Sequence, residues 1–174
     1  MRWIWIDRIV AFESGRRASA VKNVTLAEEH LHDHFPGYPV MPPSLMIEGM
    51  AQTAGILVGE ARGFTEKVVL AKIREAVFDD YAVPGDQLRY DAEVESLDER
   101  AAVTAGTVSK NGVAIGRVNL MFSHVDRADR KLDLPQHNFV FTDQFLSLLA
   151  AFRDGMGPSG ADAADAGTES HHGG

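Results

Sequence analysis

Residues 34–62 read HFPGYPVMPPSLMIEGMAQTAGILVGEAR, and this stretch decides the fold. The prolines and glycines of its first part predict a rigid loop as far as Pro43. From about Ser44 to Arg62 the sequence is apolar on nearly every side and predicts a helix, with Gly63 as its end signal. A helix that is apolar all round must be enclosed, so we expect the rest of the chain to wrap it.

Strand patterns lie on both sides of this helix in the sequence. Residues 4–24 are typical of a strand, a turn and a second strand, with Ser14-Gly15 at the turn. The later strand patterns cover residues 68–73, 87–94, 101–108 and 113–122. Asn111-Gly112 predicts a tight hairpin between the last two. Long antiparallel strands around one apolar helix predict an α+β fold with the sheet curved over the helix.

Length and composition predict one globular domain. The chain has 174 residues, of which 45% are hydrophobic and 24% charged. Its net charge of −8 argues against nucleic acid as the main partner. The sequence contains no cysteine, which excludes disulfides and thiolate metal sites. That composition is compatible with the reducing cytoplasm, where we expect the protein to act.

Neither a membrane span nor a signal peptide is expected. The most apolar stretch, Leu45 to Val58, is interrupted by Glu48 and Gln52. It is also shorter than the roughly 20 residues that a membrane-spanning helix needs. The residues before Arg8 contain no apolar run long enough for a signal peptide. A buried core helix is therefore the better interpretation of the apolar stretch.

The composition changes after Val125. Thr142 is expected to cap a short helix that runs to about Phe152. The last residues are rich in glycine, alanine and aspartate, have almost no apolar bulk and are expected to be disordered. The predicted organisation is a folded domain over residues 1–126, a linker and short helix over 127–154, and a tail over 155–174.

His34 and Glu48 are the residues best suited to chemistry. The histidine stands on the Pro-rich loop, and the glutamate follows in the first turns of the apolar helix. The helix dipole favours a carboxylate there but burial penalises it, so Glu48 needs a partner, and a nearby imidazole is a good one. Two titratable groups in different environments are typical of an acid and a base. Gln52 lies one helical turn after Glu48 and either orients the site or fills a polar gap.

These residues give the sequence its resemblance to the bacterial 3-hydroxyacyl-acyl carrier protein dehydratases of fatty acid synthesis. The motif of that family runs His-Phe-Pro-Gly, then Pro-Val-Met-Pro-Gly, then a glutamate and Ala-Gln on the following helix. This chain has His34-Phe35-Pro36-Gly37, Pro39-Val40-Met41-Pro42, Glu48 and Ala51-Gln52. Further matches are found at residues 22–25 and 83–88, and the resemblance covers about residues 4–125.

The resemblance implies a hot-dog fold, which is a curved antiparallel sheet around a central helix. It also implies a homodimer or a trimer of dimers, in which each active site is shared and His34 faces Glu48 of the partner subunit. The implied substrate is a 3-hydroxyacyl thioester on acyl carrier protein. Neither a metal nor an organic cofactor is implied.

The resemblance assigns roles to the two titratable groups. His34 takes the proton α to the thioester carbonyl, and Glu48 protonates the departing 3-hydroxyl, so that water leaves a trans-2-enoyl thioester. An imidazole suits the first role because it titrates near neutral pH. The expected substrate-binding residues are Gly37, Tyr38, Ser44, Gln52 and Phe78.

Two positions depart from the family pattern. Pro43 replaces a glycine whose amide helps polarise the thioester carbonyl, and proline has no N–H. Loss of one such donor costs about 10²–10³-fold in rate, although Ser44 could substitute through its amide or hydroxyl. Asp33 replaces the glycine that usually precedes the histidine and could raise the basicity of the imidazole.

Other functions stay open at this point. Pro43 fits an acyl-binding or scaffold subunit that kept the fold and lost activity, although the intact His34 and Glu48 pair argues against it. Pro43 and the missing amino-terminal Pro-His-Arg-Tyr-Pro-Phe segment favour a dehydratase of a specialised polyketide, aryl polyene or modified lipid pathway. A hot-dog thioesterase fits less well, because thioesterases lack this arrangement of His-Phe-Pro-Gly and glutamate.

Several candidate residues also have structural interpretations. A lone histidine before a Phe-Pro turn is usually structural, and Phe78 fits core packing as well as an acyl tunnel. Alternation of His30, His32 and His34 is compatible with a metal site, but the segment reads as a loop and no fourth ligand is evident. A basic patch for an acidic carrier protein, or else a solvated charged face, would consist of Arg74, Arg89, Arg127, Arg130 and Lys131.

Overall fold

The computed structural model of the chain describes residues 4–125 and 140–154. Its elements are β1 (Arg8–Glu13), β2 (Arg17–Asn23), α1 (His30–Asp33), α2 (Pro43–Glu60), β3 (Lys67–Phe78), β4 (Gln87–Leu97), β5 (Ala101–Lys110), β6 (Val113–Val125) and α3 (Asp143–Asp154). The predicted tail and most of the predicted linker lie outside the described residues. In the described ranges, none of the helices has the length and apolarity needed to cross a membrane.

The strands of the described ranges form one six-stranded sheet in the order β1-β2-β4-β5-β6-β3. Every neighbouring pair is antiparallel. Helix α2 packs against this sheet, and its buried side chains include Met46, Met50 and Leu57. The predicted α+β hot-dog fold is confirmed.

Helix α2 begins one residue before the predicted Ser44 and ends two residues before the predicted Arg62. Pro43 is its first residue, a position where the missing N–H has no helical partner to lose. Gly63 follows the end of the helix with a φ of 60°, and the Phe64 N–H donates to the Gly59 carbonyl at 2.8 Å. This left-handed residue after the last turn is the usual way in which a helix stops.

Small residues on α2 let other elements approach its backbone closely. A Cβ atom at Gly49 would lie 2.2 Å from Cζ of Tyr90 on β4. A Cβ atom at Gly59 would lie 2.5 Å from Cζ of Phe141, which precedes α3. The sheet and the carboxy-terminal helix can therefore contact α2 only because both positions lack a side chain.

A hairpin turn and a helix cap, both predicted from short-range sequence signals, are confirmed. Lys110 pairs with Val113 across Asn111-Gly112, whose φ angles are 50° and 86°. Two consecutive positive φ angles are typical of the tight type I′ hairpin turn. Thr142 caps α3, because its Oγ1 accepts a hydrogen bond from the Phe145 N–H at 3.3 Å.

Two further parts of the chain differ more strongly from the sequence predictions. Strand β3 continues to Phe78 rather than ending near Ile73, and its pairing with β6 shifts register after Leu70 and again after Ile73. Such bulges break the alternation by which a strand is recognised in sequence. The segment around His30, His32 and His34, which the sequence predicts as a loop, contains the single helical turn α1, which is too short to show a helical period.

Candidate active site

The loop from residue 34 to residue 41 carries the candidate histidine and is held by its own backbone. The Tyr38 N–H donates to the Phe35 carbonyl at 2.9 Å, and Gly37 has a φ of 75°. Proline and then glycine at the centre of such a turn are typical of type II. Within the described ranges, no heavy atom of a residue beyond the two chain neighbours lies within 4 Å of the place where a Gly37 Cβ would stand, so the glycine is needed for its backbone conformation.

The His34 imidazole has a defined orientation within this loop. Its Nδ1 lies 2.7 Å from the Val40 carbonyl oxygen, and the Val40 N–H donates back to the His34 carbonyl at 2.8 Å. A carbonyl only accepts hydrogen bonds, so Nδ1 carries the proton. In the neutral ring, Nε2 is then the nitrogen that accepts a proton. The Phe35 ring stacks on the imidazole with centroids 4.3 Å apart.

Glu48 is half-buried in the second turn of α2 and is oriented by Gln52. Gln52 is 4% exposed, and its Oε1 accepts a hydrogen bond from the backbone N–H of Trp5 at 2.7 Å. This contact fixes which end of the amide carries the NH₂ group. Nε2 of Gln52 donates to Oε1 of Glu48 at 2.7 Å, so Oε2 is the carboxyl oxygen that this contact does not use. Gln52 thus orients Glu48, and its predicted contact with substrate stays a prediction.

The side chains of His34 and Glu48 bond different partners. Among residues 4–125 and 140–154, neither a hydrogen bond nor an ion pair joins these two side chains, because His34 bonds the Val40 carbonyl and Glu48 bonds Gln52. Both residues are nevertheless connected to the start of α2, His34 through its loop and Glu48 through the helix itself. The prediction that they face each other across two subunits stays a prediction.

The first turn of α2 offers a hydrogen-bond donor despite Pro43. The Leu45 N–H already donates to the Pro42 carbonyl at 2.9 Å. Ser44, the residue before Leu45, is exposed. Because Pro43 has no N–H, the first amide hydrogen of the helix belongs to Ser44. The positive end of the helix dipole strengthens this position as a site for developing negative charge.

Tyr38 and Phe78, both expected near substrate, have different surroundings. Phe78 is half-buried and packs over Gly116 of β6, where a Cβ atom would lie 2.5 Å from the Phe78 Cδ1. Tyr38 is exposed, and its hydroxyl is hydrogen-bonded to the hydroxyl of Tyr81. That hydrogen bond is the main cause that raises the pKa of Tyr38 above its usual value. Sequence reasoning missed Tyr81, because nothing in the pattern brings the loop after β3 to the His34 loop.

The metal interpretation of the three histidines finds no support in their contacts. Nε2 of His32 lies 3.1 Å from the Leu26 carbonyl, and Nδ1 of His34 bonds the Val40 carbonyl. Within the described part of the chain, no group of three or more metal-ligating side chains is present.

The predicted basic patch is neutralised where the structure describes it. Arg74 lies 3.5 Å from Oε2 of Glu95, and Arg89 lies 2.9 Å from Oδ1 of Asp91. Arg127, Arg130 and Lys131 lie outside the described residues. The solvated charged face is therefore the better interpretation of the two arginines that can be placed.

The chain is similar to known proteins both in sequence and in fold. The family model described as the FabA-like domain matches residues 3–119. The chain is 40% identical over 119 residues to the 3-hydroxyacyl-acyl-carrier-protein dehydratase FabZ of Hydrogenobaculum sp., covering 67% of this chain and 80% of that protein. It is 35% identical over 125 residues to FabZ of Listeria monocytogenes, covering 71% and 87%. The solved dehydratase heterocomplex ApeI:P from Xenorhabdus doucetiae has a similar fold, with a TM-score of 0.60 at 17% identity over 71% of this chain and 84% of that one.

Proposed function

The chain belongs to the FabA-like family, and on this premise we propose that it dehydrates 3-hydroxyacyl thioesters carried by acyl carrier protein, with His34 as base and Glu48 as acid. The product is a trans-2-enoyl thioester, as fatty acid synthesis or a related lipid pathway requires. The observation that carries the proposal is the hydrogen bond from Nδ1 of His34 to the Val40 carbonyl, because it leaves Nε2 as the basic nitrogen.

Proton abstraction is the role of His34. Nε2 takes a proton from C2 of the substrate, next to the thioester carbonyl, and the electron pair of the broken C–H bond moves towards that carbonyl. Negative charge develops on the carbonyl oxygen. The Ser44 N–H at the start of α2 is the donor that we assign to this oxygen, in the place of the amide that Pro43 cannot supply.

Glu48 completes the elimination. Its Oε1 accepts from Gln52, so Oε2 carries the proton that is given to the 3-hydroxyl. The C3–O bond breaks, water leaves, and the C2–C3 double bond forms. The Trp5 N–H holds Gln52, which in turn holds Glu48, so the acid keeps one orientation through the reaction.

We propose that a second copy of the chain completes the site. Strand β3 is at an edge of the sheet and pairs with β6 on one side. It exposes Leu70, Ile73 and Val77 at 38%, 44% and 41%. A long edge strand with apolar side chains is suited to pairing with another strand. A homodimer formed there, alone or as a trimer of dimers, would bring the Glu48 of the partner subunit towards His34.

The compartment and the ligands follow from the same proposal. A chain without cysteine is compatible with a reducing compartment, and we place the reaction in the cytoplasm. The proposed chemistry uses an imidazole, a carboxyl and backbone amides. It calls on neither a metal nor an organic cofactor.

The test is turnover of a 3-hydroxyacyl thioester by the purified protein, followed through the absorbance of the 2-enoyl product. His34→Ala should reduce kcat by about 10²–10⁴-fold, which is the usual contribution of a general base. His32→Ala is the matched control, because His32 is a neighbouring exposed histidine that bonds the Leu26 carbonyl. We expect the control to keep wild-type activity. Turnover by His34→Ala at the wild-type rate would remove His34 from the mechanism.

Pro43 favours one second candidate, an acyl-binding subunit that has lost activity. The same experiment separates it from the dehydratase. Binding of the acyl thioester without turnover, on both carrier protein and coenzyme A substrates, would support the binding subunit. Release of free thiol from the same substrates would instead indicate thioester hydrolysis.

A further inference from the structure

Two tyrosines join the His34 loop to the loop after β3. The Tyr38 hydroxyl is hydrogen-bonded to the Tyr81 hydroxyl, and the two rings meet edge to face with centroids 6.1 Å apart. The residues are 43 positions apart in the sequence, and both side chains are substantially exposed, at 56% and 46%. The hydrogen bond between these two exposed phenols therefore links two loops that are distant in the sequence.

Tyr81 is fixed from its other side by the β5–β6 hairpin. Lys110, the last residue of β5, donates a hydrogen bond from Nζ to the Tyr81 carbonyl at 3.0 Å. The same ammonium forms an ion pair with Asp80 and lies 5.9 Å from the centroid of the Tyr81 ring. Oδ1 of Asp80 accepts from the Tyr81 N–H at 2.8 Å. The backbone of Tyr81 is therefore anchored to the sheet.

Tyr38 connects this anchor to the histidine. Its N–H and carbonyl both bond Phe35, the residue after His34, at 2.9 and 3.0 Å. One further bond joins the same two loops, from the Met41 N–H to the Ala82 carbonyl at 2.9 Å. The backbone bond lies at the end of the His34 loop, whereas the tyrosine contact restrains its exposed turn.

We propose that the hydroxyls of Tyr38 and Tyr81 form a clasp that positions the His34 loop for catalysis. The clasp is the contact between these two hydroxyls, and both tyrosines are positioning residues. The inference rests on the proposed role of His34 as base. The clasp holds the turn over residues 35–38, which keeps the Val40 carbonyl opposite Nδ1 of His34 and so keeps Nε2 as the basic nitrogen.

The test is a double-mutant cycle of Tyr38→Phe, Tyr81→Phe and the double variant, because phenylalanine keeps each ring and removes each hydroxyl. Each single variant should lower kcat about 3- to 10-fold, as expected for one hydrogen bond, while KM stays within about twofold of wild type. The double variant should match the single variants, since all three lack the same contact. Circular dichroism and the thermal midpoint control for folding.

A second readout follows His34 directly and does not require activity. In ¹⁵N NMR of the imidazole, the wild type should show the proton on Nδ1, and each variant should show an increased share of the tautomer with the proton on Nε2. Wild-type tautomer and kcat in both single variants would overturn the clasp. Additive losses in the double variant, or a raised KM with unchanged kcat, would instead make the tyrosines independent substrate contacts. If the wild type dehydrates no thioester, the proposed function fails, and the tautomer still reports on the clasp.

Discussion

The two ends of α2 have opposite characters. At the amino-terminal end, His34, Glu48 and Ser44 are exposed or half-buried, and the side chains of His34 and Glu48 are oriented by hydrogen bonds. At the carboxy-terminal end, the Phe141 ring lies against Gly59, meets the Phe64 ring edge to face at a centroid distance of 4.9 Å and lies tilted against the Phe145 ring at 5.8 Å. One end presents groups that can exchange protons, and the other buries apolar surface.

This difference separates activity from stability along a single helix. Burial of aromatic rings is a large source of folding free energy, and it needs no polar partner. Acid/base groups instead need contact with the substrate and defined hydrogen bonds. Changes that disturb His34 or Glu48 should therefore reduce turnover, whereas changes at the carboxy-terminal end should reduce stability and leave turnover unchanged.

The largest expected change at the amino-terminal end is the recovery of activity when two inactive variants are mixed. His34→Ala and Glu48→Gln should each be inactive alone. If His34 faces the Glu48 of the partner subunit, a mixed dimer has one intact site and one site with both changes. Random exchange makes half of the dimers mixed, so activity should return to about one quarter of wild type.

Subunit exchange must be verified in the same mixture, for example by energy transfer between labelled chains. Unmixed His34→Ala and unmixed Glu48→Gln are the controls. Absence of recovery with proven exchange would show that each subunit carries a complete site of its own. That result would leave β3 as an edge strand without a role in catalysis.

A smaller effect is expected when the orientation of Glu48 is disturbed. Gln52→Leu removes both the bond to Glu48 and the acceptor of the Trp5 N–H. It should lower kcat about tenfold and the free energy of unfolding by about 1–3 kcal/mol, because a buried donor loses its partner. Activity assays and urea unfolding measure the two quantities.

Thr53→Val is the matched control for Gln52→Leu. Thr53 is the next residue of α2, is equally buried, and donates from Oγ1 to the Gly49 carbonyl at 2.8 Å. Its loss removes a buried hydrogen bond that does not reach Glu48. We expect kcat to stay at the wild-type value. An equal fall of kcat in both variants would mean that general loosening of the helix, rather than the contact with Glu48, controls the rate.

Short-range signals explain which parts of the fold could be predicted. The helix over residues 43–60 is marked by its apolar run, by a proline at its first position and by a glycine shortly after its last one. The hairpin at Asn111-Gly112 depends on two adjacent residues. In contrast, the length of β3 depends on bulges against β6, and the turn of α1 is too short for any period.

The candidate site shows the same limit. His34, Glu48 and Gln52 lie close together in sequence, so one short motif was enough to name them as candidate site residues. Tyr81 contacts Tyr38 across 43 positions, and its place depends on how two loops close over the sheet. No local pattern carries that information, so only the structure revealed the contact.

The smallest change in kcat is expected at the carboxy-terminal end of α2, where two glycines four positions apart provide the test. Gly59→Ala would place a Cβ atom 2.5 Å from the Phe141 ring, so the aromatic cluster would have to shift. We expect the free energy of unfolding to fall by about 1–3 kcal/mol, with kcat unchanged. Urea unfolding and the thioester assay measure the two quantities.

Gly55→Ala is the matched control, because its Cβ atom would meet the Phe122 ring at an ordinary 3.6 Å. Alanine favours the helix over glycine by about 1 kcal/mol, so this variant should be as stable as the wild type or more so. A fall of kcat in Gly59→Ala, with Gly55→Ala active, would show that the aromatic cluster influences the chemistry at the other end of α2. The two ends would then form one functional unit, and the separation of activity from stability along the helix would be wrong.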